Sequence, residues 1–344
     1  MAVRGRRNLP SGTSALLPQT IFGPSEDFPL VTEVAKSPPM AAVREWLRQT
    51  LPCHGAVLFR GLRLTTPKDF AAFVDGLAWQ KVQIGGGGTA RSTVADGVRT
   101  ASDEPADHTI EPHQDMAHNP SAPAKLAFFM LENDPDVAGG ETVLTDMRQV
   151  TERLGDVAEV FARHAGVLYK KILWDAQRRG DTTFTWQRRL FAQTREDAEA
   201  ELRRTGALDS LRWNDDTGTL TYEHRLPATR THPDTGETVF FNGIHTNHRD
   251  YFDLAPHVNT TSLGDSPYDT FFGDGTQIDE GLLDYVRGVW WNCSVALNVQ
   301  PGDLVIVDNL LAGHGRFAWD PLAKNRTMLI AHLDALLSAQ QAEE

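Results

Sequence analysis

Short apolar runs of strand length recur along the whole chain, each ended by a turn signal, and this pattern constrains the fold more than any other feature. The runs are GAVLFRG (55–61), AKLAFFML (124–131), ETVLTDM (141–147), ETVFFNG (237–243), NCSVALNV (292–299), DLVIVDN (303–309) and TMLIAHLD (327–334). Apolar runs of four to eight residues bounded by Gly, Pro, Asn or Asp are the mark of buried strands. Gln300-Pro301-Gly302-Asp303 supplies the turn between two of them.

Helical periodicity is sparser. Residues 38–51 open on two prolines and space Val43, Trp46, Leu47 and Leu51 along one face, with Pro52 expected to close the helix. Thr66 reads as an N-cap before Pro67, and Phe70, Phe73, Val74 and Leu77 form the buried stripe of a second helix. Further helices are expected within 147–163, at 194–205 before Gly206, and at 279–290. No repeat or linker divides the 344 residues. The expectation is one mainly β domain with α decoration over 26–340, after an extended or disordered 1–25. A polar insertion at about 175–235 carries a hairpin at NDDTG (214–218).

Charge and cysteine content narrow the function. Net charge is 33 − 46 = −13 without like-charge blocks, which argues against nucleic acid or an anionic membrane as partner. No run approaches the ~18 apolar residues of a membrane span, and Arg4, Arg6 and Arg7 are not followed by a signal-length apolar segment. Cys53 and Cys293 form no disulfide framework, so a cytoplasmic protein is expected. The segment IGGGGTARS (84–92) lacks both the Lys-Ser/Thr ending of a phosphate loop and the spacing of a dinucleotide fingerprint, and reads as a loop.

Histidine is the residue type that points to chemistry. His-x-Asp occurs four times: His113/Asp115, His232/Asp234, His248/Asp250 and His332/Asp334. In a strand, residues two apart share a face, so a metal could bridge any such pair. His232 lies in the turn HPDTGE, where structural duties suffice. His332 and Asp334 read as a satisfied histidine and an edge carboxylate. His248, with His245 nearby, is the strongest internal rival, although it fits a pocket wall better. His113 is favoured because His314 follows DLVIVDN in NLLAGHGRFAW and the basic Arg326 comes twelve positions later. Two histidines and one carboxylate leave three adjacent positions open on octahedral Fe(II), enough for a bidentate 2-oxo acid and O2. A structural zinc site would instead close four positions, commonly with thiolates.

The phrases GAVLFRG, EPHQDMA, GGETVLTD, TVFFNG, FGDG and QPGDLVIVDNLLAGHGR, in this order, resemble the TauD/TfdA family of Fe(II)/2-oxoglutarate-dependent dioxygenases, its clavaminate-synthase-like and SyrP-like members in particular. The resemblance covers about 52–333 and implies a double-stranded β-helix, a jelly roll with the metal near one mouth. It implies His113, Asp115 and His314 as iron ligands, and Thr142 and Arg326 as the binders of the distal carboxylate of 2-oxoglutarate, with Arg316 sharing that role or facing substrate. A guanidinium suits a carboxylate geometrically. The implied reaction consumes Fe(II)-bound 2-oxoglutarate and O2, releases succinate and CO2, and hydroxylates an unactivated C–H bond; desaturation, epoxidation and cyclisation use the same cofactors. The related halogenases lack the carboxylate ligand, so Asp115 argues against halogenation.

The substrate expected from the resemblance is a small molecule of a biosynthetic pathway, an amino acid or derivative, free or presented by a carrier protein. Candidate pocket residues are Arg91 and Ser92, Glu111 and Met116, Asn242 and His245, and Arg316. Arg91 or Arg316 could meet a carboxylate and Glu111 an ammonium. Two other classes remain open at this point: a zinc-dependent hydrolase using the same three ligands, and a non-catalytic binding protein that retains them.

Overall fold

The computed structural model describes residues 28–34, 38–82, 91–134, 136–180, 184–253 and 266–336. The segment 1–25 and the glycine run of 84–90 lie outside the described residues. The architecture is mainly β. A seven-stranded sheet runs in the order Leu30–Glu33, Ala56–Arg60, Leu304–Asp308, Ala122–Asn133, Arg326–Leu336, Val98–Thr100, Thr93–Ala95. A four-stranded sheet runs Ser294–Leu297, Thr142–Asp146, Ala312–Arg316, Ile110–His113.

Side chains alternate across the large sheet and bury both of its faces. Val57, Phe59, Ala127, Phe129, Leu304, Ile306, Leu329 and Leu333 pack against Leu47, Leu51, Phe70 and Val74 of the helices Met40–His54 and Pro67–Leu77. Leu58, Leu126, Phe128, Val305, Val307, Met328 and Ile330 point the other way, onto Leu144, Leu297 and Ala312 of the four-stranded sheet. Burial on both faces is why these strands stand out as unbroken apolar runs.

Both helices form on the expected stripes. Thr66 accepts from the Asp69 amide while Asp69 returns a bond to the Thr66 amide, a full capping box with Pro67 in the first turn. The first helix does not close at Pro52. It runs through that residue to His54 and ends on Gly55 at φ 66°, because a proline in the last turn forfeits only one backbone bond there.

A second four-stranded sheet, ordered Tyr268–Phe272, Val167–Leu173, Thr219–Leu226, Ser210–Asn214, has its own core of Leu173, Trp174, Trp186, Leu220, Tyr222 and Tyr268. It includes the hairpin expected at 214–218 and two flanking strands outside 175–235. Of ETVFFNG only Thr238–Phe240 is strand, paired with Thr229–Thr231 in a separate ribbon rather than in a large sheet. Helix Glu280–Asn292, capped by Asp279, packs Leu283, Val286 and Trp290 among Met147, Tyr169, Phe240 and Phe272.

Arg148 ties that ribbon to the first helix. It donates from Nε and Nη2 to the two oxygens of Glu237 and also bonds the carbonyls of Pro52 and Cys53. The Arg148 bonds draw the Glu237 carboxyl down to about 2. A carboxyl depressed by folding adds stability that is present above its unfolded value and fades as pH falls through the folded one. Glu237→Gln is therefore expected to flatten the acid limb of the stability curve between about pH 5 and pH 2, read by urea melts across that range.

Candidate active site

The site is built where strands Ile110–His113 and Ala312–Arg316 pair. His113 and His314 stand directly opposite each other across the ladder, and their ring centroids are 4.5 Å apart. The His314 strand comes this close because it carries no bulk beside the histidine. A Cβ on Gly315 would meet the Ile110 carbonyl oxygen at 2.7 Å, and one on Gly313 would meet the Trp290 ring at 2.7 Å.

Burial lowers the pKa of both imidazoles and keeps them neutral, with His113 adding to the effect on His314. His113 Nδ1 donates to the Glu111 carbonyl at 2.9 Å, which leaves Nε2 as its lone-pair nitrogen. Nδ1 of His314 is buried with no hydrogen-bond partner among the described residues.

Asp115 sits in a turn that Asn309 clamps from both sides. Asn309 Oδ1 accepts from the Asp115 amide at 2.8 Å, and its Nδ2 donates to the Asp115 and Pro123 carbonyls. Burial would raise the Asp115 carboxyl, but Arg91 and then His332 pull it well below the usual carboxylate range. Its Oδ2 lies 3.0 Å from Arg91 Nη2 and 2.8 Å from His332 Nε2.

As placed, no three His, Cys, Asp or Glu side chains among the described residues converge on one point that could hold a metal. The Asp115 carboxylate is turned to Arg91 and His332. In kind the donors fit iron well, since two neutral imidazoles, one with an orphaned buried nitrogen, stand beside a carboxylate held ionised.

A cavity of about 200 Å³ opens beside this pair and is lined by Arg91, His113, Phe128, Thr142, His314, Trp319 and Arg326 among others. Arg326 donates to the Gly140 carbonyl at 2.6 Å and to Thr142 Oγ1 at 3.1 Å, so Thr142 and Arg326 meet as expected. Burial and then the Arg316 charge lower the Arg326 guanidinium to about 9; it remains a cation at neutral pH. Among the described residues no carboxylate lies within ion-pair distance of it. Trp319 stands beside both guanidinium groups, 4.5 Å from Arg316 and 5.4 Å from Arg326.

Other expected site residues have other duties. Arg316 borders the cavity, but its Nη atoms donate to the carbonyls of Glu104, Pro105 and His108. Glu111 is buried 3.6 Å from Arg287 Nε, behind the strand. The register slips between His314 and Arg316, whose partners are His113 and Ile110; this bulge brings Ile110 and His113 to the cavity and turns Glu111 away. His245 donates from Nε2 to the Pro112 carbonyl at 2.9 Å, against Trp290, with burial and Arg287 pushing its pKa down to about 3. Asn242 bonds the Ala228 carbonyl, and Met116 packs in a core cluster with Phe241, Leu310 and Leu336.

His232 bonds Asp308 and accepts from the amides of Asp234 and Thr235, the structural role expected. His248 pairs with Asp250 and lies near Asp269. His332, read from sequence as merely satisfied, is satisfied by Asp115 itself. His332 and Asn309 both support Asp115, and the local sequence around neither signals that role. Among the described residues no helix is long and apolar enough to cross a membrane.

The taurine catabolism dioxygenase TauD, TfdA family profile matches residues 15–332. The chain is 27% identical over 314 residues to the dapdiamide synthesis protein DdaC of Enterobacter agglomerans, covering 89% of this chain and 92% of DdaC. It is 28% identical to a clavaminate synthase-like protein of Arabidopsis thaliana, over 87% and 86% of the two chains. In fold it is similar to the PvcB protein of Pseudomonas aeruginosa, with a TM-score of 0.51, 14% identity, and 94% and 95% of the chains covered. A profile match over more than nine-tenths of the sequence is decisive: the chain belongs to the TauD/TfdA family and is a dioxygenase, an oxidoreductase.

Proposed function

We propose that this dioxygenase uses Fe(II), 2-oxoglutarate and O2 to hydroxylate an unactivated C–H bond of an amino acid or amino-acid-derived small molecule, free or borne on a carrier protein. The observation that carries the reading is one cavity with two characters. Two neutral histidines stand at one part of its wall, and Arg326, half-buried and paired with no carboxylate among the described residues, stands with Thr142 at another. That arrangement suits a dicarboxylate whose one end reaches a metal and whose other end reaches a guanidinium. His113, Asp115 and His314 would hold the iron. Bound iron and 2-oxoglutarate would supply the oxidising chemistry, releasing succinate and CO2.

The chain's own part is positional. Arg326 and Thr142 would anchor the distal carboxylate, and Trp319 would wall the cavity beside the anchor. Phe128, 4.9 Å from the His314 ring, would keep water from the reacting centre. The two facing sheets would form the double-stranded β-helix of the family, within a single domain that carries the Val167–Phe272 sheet as an addition. Relatives named for dapdiamide synthesis and for clavaminate synthase favour a biosynthetic substrate. Arg91 is the cavity-lining cation suited to a substrate carboxylate. Glu111 faces away, so a substrate ammonium would need another acceptor.

The test is succinate release by the purified protein with Fe(II), 2-oxoglutarate and air, screened against free amino acids, carrier-bound amino acids and small carboxylates. Succinate formed with Fe(II) and not with Zn(II) supports the reading. No succinate with any candidate, and no visible absorption band from anaerobic Fe(II) plus 2-oxoglutarate, would sink it. Arg316→Ala separates support from binding. It is expected to cost stability, about 2–4 kcal/mol from lost charged hydrogen bonds, with a small change in the KM for 2-oxoglutarate.

A further inference from the structure

Arg91, Asp115 and His332 meet at one point, and their hydrogen-bonding capacities do not balance. His332 Nε2 lies 2.8 Å from Asp115 Oδ2 and 2.5 Å from Arg91 Nη1, while Arg91 Nη2 lies 3.0 Å from the same Oδ2. A guanidinium nitrogen only donates, and an ionised carboxylate oxygen only accepts. Nε2 can satisfy one of its two neighbours. With a hydrogen it donates to Asp115 and opposes the Arg91 N–H. Without one it accepts from Arg91 and turns a lone pair toward the carboxylate. The side chains are only 14%, 8% and 10% exposed for Arg91, Asp115 and His332, so bulk water does little to relieve the conflict.

The fold indicates which partner gives way. His332 belongs to the long strand Arg326–Leu336, paired along its length with Ala122–Asn133. Arg91 precedes the short edge strand Thr93–Ala95, and its side chain lines the cavity.

Resting on the function proposed above, we infer that Arg91 is a displaceable counter-ion of Asp115. A carboxylate entering the cavity draws the guanidinium away, His332 remains as the donor to Oδ2, and the Asp115 carboxylate is released to the metal. The entering carboxylate can be that of 2-oxoglutarate nearest the metal or that of the substrate. Arg91 and the metal then compete for Asp115, and carboxylate and metal reinforce each other's binding, as linkage requires.

The test is titration of the metal-free, full-length protein with Co(II), followed by visible absorption and calorimetry. It is run in three arms: no added carboxylate, 2-oxoglutarate, and acetate, which is too short to reach Arg326. Without carboxylate, Arg91→Gln is expected to bind Co(II) about tenfold tighter than wild type, within the usual range of such couplings. Its gain from one of the two carboxylates should shrink by the same factor, and the arm in which it shrinks identifies the source. His332→Leu should weaken Co(II) about tenfold, and His332→Gln, which keeps a donor, should recover most of that. Arg91→Met serves as a second variant if Arg91→Gln does not fold by circular dichroism. Unchanged or weaker Co(II) binding in the folded Arg91 variants overturns the inference and leaves the function intact. A wild type that binds no Co(II) overturns both.

Discussion

Alanine in place of His113 or His314 is expected to yield a folded protein that has lost its metal and its turnover. His314 is buried and His113 half-buried; both imidazoles are neutral and joined to the fold by few bonds among the described residues. His113 Nδ1 donates to the Glu111 carbonyl, and His314 Nδ1 has no hydrogen-bond partner among the described residues. Neither supports the fold strongly, and relieving a buried unpaired nitrogen offsets part of the packing that is lost. Metal affinity should fall by more than the 10–100-fold that even outer-sphere partners control, and succinate formation should fall to background. Co(II) titration, succinate assay and thermal melts on the same preparations check all three. A variant that still bound metal tightly would place the centre elsewhere.

Replacing Arg326 by Gln should raise the KM for 2-oxoglutarate about a hundredfold while changing kcat much less. The Arg326 side chain is half-buried at the cavity wall and pairs with no protein carboxylate among the described residues, so its charge is available for a ligand. Losing a buried charge pair costs about 2–5 kcal/mol, and a group that grips substrate and transition state alike acts on KM. Thr142→Val removes only the hydroxyl that Arg326 bonds and should raise KM several-fold. Initial rates against 2-oxoglutarate at saturating substrate separate the two effects. A fall in kcat with unchanged KM would assign Arg326 to another step.

What the sequence made legible follows from burial. Strands 56–60, 122–133, 304–308 and 326–336 bury both faces and therefore read as apolar runs. Ala312–Arg316 could not be read that way, because AGHGR carries glycines where a side chain would strike Ile110 or Trp290. Val167–Leu173 was hidden by Lys170 and Lys171. Lys171 is buried, bonding Asn119 and lying 5.1 Å from the Tyr268 ring, a tertiary solution with no local signature. The pairing of His113 with His314 and of Thr142 with Arg326 came through motif likeness, and spacing alone could not have chosen it among four His-x-Asp pairs. Glu111 turns away from the cavity at the register slip opposite Arg316, a bulge that the local sequence does not signal. His332 was undervalued because its partner lies 217 residues away.

One strand carries both Arg326 and His332, and so serves as a ruler. Met328, Ile330 and His332 project to the inter-sheet side while Leu329, Ala331 and Leu333 project to the helices. A single inserted residue would swap these sets. An insertion of two would restore the faces but displace the cation by about 6.6 Å at ~3.3 Å per residue, several times the length of one methylene. With Arg326 as the proposed anchor, a change in strand length would alter the reach from anchor to metal by whole residues, and finer variation would fall to parts of the cavity wall that this strand does not build.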